Sequence, residues 1–154
     1  MTALATERRE RLHRRVRFIV AFTITYNVIE AIVAITAGML ASSAALIGFG
    51  LDSVVEVLSA VAIAWQFTRK DPERWEKATV RAIGLAFFAL AAYVSIDAIL
   101  SLISQEGPEH SPLGIGTTAL SLLVMPLLAS FEIRTGRELG SKSVLADARQ
   151  LMLC

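Results

Sequence analysis

Two carboxylates, Asp52 and Glu56, stand four residues apart in the stretch GFGLDSVVE, inside an otherwise apolar run. With Gly48 and Ser59 they share one face of a helix, while the other faces carry Val, Leu, Ile and Ala. Ionised carboxylates at this spacing repel each other. Ionisable groups within an apolar span are costly and default to a functional role. The pair therefore asks for a divalent cation, for protons, or for hydrogen-bonding partners on another helix. Hard and borderline metals take oxygen ligands, which suits the first.

A second stripe has the same logic. Ser143, Asp147, Gln150 and Cys154 are spaced by four, three and four and fall on one helical face. Oxygen, amide and thiolate groups could complete a site begun by Asp52 and Glu56, and a thiolate would favour zinc or cadmium over magnesium or calcium. Taken alone, Cys154 reads as a small core residue, and Asp147 could instead cap a helix or pair with Arg149. Asn27 and Glu30 share a face of another apolar segment, as do Tyr93, Asp97 and Ser101 in a third. Each set is a candidate proton relay, second metal station or helix contact. Packing suits Asn27, Tyr93 and Ser101, whereas Glu30 and Asp97 need a stronger justification. Thr117, Thr118 and Ser121 read as packing residues and Pro126 as a helix kink. His13 reads as a solvated side chain among arginines. His110, near Glu106 and Glu109, lacks the ligand convergence that metal sites need.

These residues must be positioned by membrane helices. The chain has 154 residues, 55% hydrophobic and 19% charged, with a mean hydropathy of +0.58, too apolar for an ordinary soluble domain. About 20 apolar residues cross the bilayer, and four stretches qualify: 18–40, 44–67, 82–103 and 113–131. A fifth, 143–154, ends with the chain after about three turns, too short to cross. The expected fold is thus all-α, a polytopic transmembrane bundle of four full spans plus the start of a fifth. It forms one membrane domain, 18–154, after a basic leader, 1–17. Six arginines in that leader, five basic residues between Arg69 and Arg81, and Arg134, Arg137 and Lys142 alternate with uncharged or acidic connections. The positive-inside rule then puts the N-terminus in the cytosol. Pro72, between Asp71 and Glu73, suits a first helical turn.

A net charge of +1 gives no ground for a nucleic-acid partner, and one cysteine makes no disulfide framework. No nucleophile–base arrangement or phosphate-binding glycine loop is present. Gly48-x-Gly50 lacks the strand–turn–helix setting of a dinucleotide fingerprint, so neither an enzyme nor a prosthetic group is expected.

At these motifs the chain resembles a known family. The run YNVIEAIVAITAGMLASSAALIGFGLDSVVEVLSA, Tyr26 to Ala60, is similar to the first two helices of the cation diffusion facilitator family of divalent-metal/proton antiporters. The run GSKSVLADARQLMLC is similar to the start of that family's fifth helix. The resemblance implies six membrane helices, a homodimer, and usually a cytosolic metal-binding domain. It also implies a tetrahedral transport site on Asp52 and Glu56 of the second helix and Gln150 and Cys154 of the fifth. Most members carry His and Asp at the latter pair. Gln is a poor zinc ligand, which brings forward Asp147, one turn earlier, as a substitute. The chain is accordingly expected to be part of a longer divalent-cation exporter, with zinc as the leading cargo, in a bacterial plasma membrane. A four-helix exporter of organic cations would normally carry a lone carboxylate framed by aromatics, whereas here the motif pairs two carboxylates and offers only Phe49. A non-transporting membrane interaction protein is the other alternative.

Overall fold

The computed structural model describes residues 3–104 and 110–152, the side chains of 3–9 and 104 excepted. All regular structure among them is helical: α1 (Ala3–Leu40), α2 (Ala44–Thr68), α3 (Pro72–Ser104), α4 (Pro112–Leu139) and α5 (Lys142–Leu151). The four expected spans fall within α1 to α4, and the short fifth segment, expected over 143–154, begins in α5, which ends at Leu151. Helices are what such runs must form, because hydrocarbon offers no water to satisfy backbone N–H and C=O groups. α1, with 38 residues, is ~57 Å long at 1.5 Å per residue. It carries the helix on through the basic leader, well past the bilayer thickness.

Short connections make consecutive helices antiparallel. Between α1 and α2, Ser42 adopts a positive φ of 47° and Ser43 caps α2 by accepting from the Leu46 N–H. Between α2 and α3 the chain turns at Asp71 and restarts on Pro72, whose missing N–H is no loss in a first turn. Ser111 caps α4 just ahead of Pro112. Gly140, at φ 66°, ends α4 in the left-handed region, and Ser141 at once caps α5. One end of the bundle thus gathers Leu40, Ala44 and Pro112, and the other gathers Thr68, Pro72, Leu139 and Lys142.

α1 packs along α2 and also against α4, α2 packs against α3, and α5 nests mainly on α4 while touching α3 and α2. The α1–α2 approach is close enough to require glycine. A Cβ on Gly50 would meet Ile35 Cγ1 at 2.6 Å and the Ile35 backbone N at 3.0 Å. Three apolar clusters fill the interior: Val16, Val20, Ala60, Ile63, Ile83 and Val144; Met125, Leu128, Ala129 and Leu151; and Ala34, Ala37 and Leu46. Of the four long helices α2 is the most enclosed, with 44% of its apolar window buried, against 6% for α3. At the Thr68 end, Trp65 and Trp75 meet edge to face at 5.0 Å, with the Arg69 guanidinium 4.4 Å over the Trp65 ring. Such an aromatic and cationic cluster suits a membrane–water interface. Pro126 lies within α4 without ending it.

Candidate metal-binding interior

The expected polar face of α2 points inward. Gly48, Glu56 and Ser59 are buried and Asp52 is half-buried. Ser53, beside Asp52, is buried too, and its hydroxyl donates to Glu30 Oε2 on α1 at 2.9 Å. Asp52 lies near Glu30 as well. Tyr26 reaches the same carboxylate, and its hydroxyl stands 2.9 Å from Ser121 Oγ on α4. Asn27 is fully buried and donates from Nδ2 to the Thr23 carbonyl at 3.0 Å. Glu30, Asp52, Tyr26 and Ser121 therefore form one polar knot joining α1, α2 and α4. Glu30 and Tyr26 also line a groove of about 460 Å3 that runs between α1 and α4 towards Pro112 and Leu113.

Nearer the Thr68 end, a second knot contains a residue the sequence reading passed over. Glu132, on α4, is 3% exposed. Its carboxylate faces Asp147 of α5 within hydrogen-bonding reach and lies near Glu56 of α2 and the Thr23 hydroxyl of α1. Asp147, also 3% exposed, has Ser59 of α2 within the same reach. Ser59 Oγ, Thr23 Oγ1 and Glu132 Oε2 are all buried without a well-formed hydrogen bond. No basic side chain pairs with Glu132 or Asp147 among the described residues. The local sequence explains the alignment. The tight Gly140–Ser141 turn reverses the chain directly from α4 into α5, with the Ser141 N–H bonded to the Gly136 carbonyl at 3.0 Å. The backbone N–H of Lys142 also donates to Glu76 of α3, fixing the start of α5. One signal could have found Glu132: Ser121, Met125, Leu128, Glu132 and Thr135 recur at four, three, four and three along the buried face of α4. The span expected from hydropathy stops at Phe131, one residue short.

The remaining candidates divide. Gln150 is half-buried, and its Oε1 has no hydrogen-bond partner among the described residues. Ser143 is fully buried and pairs with Ser141 Oγ at 3.0 Å. Cys154 lies outside the described residues. Asp97 is half-buried on α3. His13 was expected in solvent but lies half-buried, edge-on to Phe67 at 5.4 Å. His110 is exposed. Among the described residues, no three His, Cys, Asp or Glu side chains converge closely enough to hold a metal by themselves. The donors gathered from α1, α2, α4 and α5 are carboxylate and hydroxyl oxygens, a set suited to protons or to cations that accept oxygen ligands.

Four apolar helices around a carboxylate-lined interior define an integral membrane protein of the polytopic class. Residues 19–153 match the cation efflux transmembrane domain, and the chain belongs to that family. It is 24% identical over 149 residues to transmembrane protein 163 of Xenopus laevis, covering 95% of this chain and 53% of that one. It is 27% identical over 136 residues to the uncharacterized transporter MJ0449 of Methanocaldococcus jannaschii, covering 82% and 48%. It is 23% identical over 145 residues to protein p34 of Rickettsia prowazekii, covering 88% and 48%. The chain spans about half the length of the curated relatives it matches. No solved structure matches it.

Proposed function

We propose that this chain supplies the membrane domain of a proton-coupled exporter of divalent transition-metal cations of the zinc, cobalt and cadmium type. One observation carries the reading: the carboxylate face of α2 (Glu56 and Ser59) and the polar face of α5 (Asp147) meet inside the bundle, with Glu132 between them. In this reading Asp52 and Glu56 are ligands from α2, and Asp147, Gln150 and Cys154 are their counterparts from the fifth helix. The membership of the cation efflux family and the transporter named among the relatives support it.

A carboxylate must lose its proton to bind a metal, so protons arriving from one side expel the cation bound from the other. Relative movement of packed helices would expose the ligands to each side in turn, as in other carriers with sites near the midplane. Glu30, hydrogen-bonded to Ser53 beside Asp52, is placed to pass protons to the groove between α1 and α4. Asn27 supports that region by packing, and Asp97 of α3 is a separate candidate relay. In this reading the Thr68 and Leu139 end, with its basic connections, faces the cytosol, and the membrane is a bacterial plasma membrane. The working unit in this reading is a homodimer. No catalytic chemistry, prosthetic group or nucleic acid is involved.

Thermal unfolding of the purified chain in detergent tests the reading. Zinc, cobalt or cadmium should raise the midpoint, and Asp52→Asn and Glu56→Gln should each remove most of the rise. The proposal fails if none of the three metals shifts the parent chain, or if Asp52→Asn shifts as the parent does.

A further inference from the structure

Glu132 and Asp147 raise a question that the Asp52–Glu56 pair does not answer. They are two buried carboxylates from different helices, within hydrogen-bonding reach, with no basic partner among the described residues. Burying such a pair without compensation is strongly unfavourable. Both line a small cavity of about 10 Å3, otherwise walled by Val16, Ile19, Val20, Ile63 and Val144. That is roughly the room of one water or one small ion. Two neutral oxygens, Ser59 Oγ towards Asp147 and Thr23 Oγ1 towards Glu132, sit beside them. Ser59 is 2% exposed and Thr23 1%, and neither oxygen has a well-formed hydrogen bond among the described residues.

We propose that Glu132 and Asp147, with the hydroxyls of Ser59 and Thr23, form a second, oxygen-only station that holds a divalent cation on its way to Glu56 and Asp52, which leaves Gln150 and Cys154 as the fifth-helix partners of that pair. The proposal rests on the reading of the chain as a divalent-cation carrier. Charge balance is met by one divalent cation or by one proton on each carboxylate. The cavity between the two carboxylates and the hydroxyl oxygens beside them favour the cation, because an oxygen-seeking ion takes carboxylates, hydroxyls and waters together. Glu132 lies near Glu56, so the station adjoins the deeper pair. In the proposed orientation it lies on the cytosolic side. Oxygen donors without thiolate or imidazole hold zinc-type ions loosely, which suits a place of transit.

Equilibrium dialysis of the purified full chain in detergent against Co2+ tests this. The parent should bind roughly two Co2+ per chain at saturation, and Glu132→Gln and Asp52→Asn should each lose roughly one, from different stations. Ser59→Ala should keep both but weaken one of them several-fold. Should Glu132→Gln bind Co2+ as the parent does, the station is refuted and protons, not a cation, neutralise the two carboxyls. If Asp52→Asn keeps the parent's Co2+ while Glu132→Gln loses one ion, the station stands and the Asp52 reading falls. Should Glu132→Gln not fold, Ser59→Ala and Thr23→Val decide, and unchanged Co2+ affinity in both refutes the station.

Discussion

The Ser53 hydroxyl donates to Glu30 Oε2 at 2.9 Å, so the residue next to Asp52 is fastened to the neighbouring helix. This bond fixes the rotation of α2 about its axis and with it the direction in which Asp52 and Glu56 point. Removing it by Ser53→Ala should lower stability by about 1 kcal/mol, within the range for helix–helix hydrogen bonds in membranes. Unfolding by denaturing detergent, followed by circular dichroism, gives the measurement. Ser95→Ala is the control, because Ser95 bonds only its own helix at the Ala91 carbonyl and is exposed. It should change stability by less than about 0.5 kcal/mol.

Gly50 lets α1 and α2 approach. A methyl group there would press on Ile35 and on Ala34 Cβ, 3.2 Å away. Gly50→Ala should therefore cost about 1–3 kcal/mol through overpacking, read in the same unfolding assay. The same change at Gly84, where an added Cβ meets nothing within 4 Å, should have no comparable effect.

Gly140 holds the turn that sets α5 against α4, at a φ of 66°. Gly140→Ala should cost about 1–2 kcal/mol, since Cβ crowds the following carbonyl in the left-handed region. Gly140→Asn should cost less, because asparagine tolerates that conformation. Equal losses for the two variants would show that the backbone angle is not the cause.

Metal should stabilise the folded chain by mass action. At a free zinc concentration about 100 times its dissociation constant, the gain should be about 2.7 kcal/mol. Asp52→Asn should lose most of it. Lowering the pH should weaken the metal-dependent gain, since protons compete for the same oxygens. A gain that holds or grows as pH falls would contradict carboxylate ligation.

The periodicity of α2 was legible because hydropathy and spacing act within one element. Gly48, Glu56 and Ser59 had to share a face wherever that helix went, and the same arithmetic placed Ser143, Asp147 and Gln150 together. Glu132 was harder to see. Hydropathy closed the span at Phe131, and a carboxylate between Phe131 and Arg134 looks like the polar edge of a connection. Only the buried rows of α4, continued by one more turn to Thr135, show that the helix goes on and keeps that face inside.

By itself, the sequence determined what is local and periodic: four spans and a shorter fifth helix, the caps and turns between them, and which side of each helix is polar. These follow from hydrogen-bond satisfaction in hydrocarbon and from the pitch of the helix. Which polar faces meet was decided only in three dimensions. The α1–α2 approach at Gly50 brings Glu30 to Ser53, and the reversal at Gly140 turns Asp147 onto Glu132. Such meetings depend on packing between elements far apart in the chain, and no periodicity within a single helix encodes them.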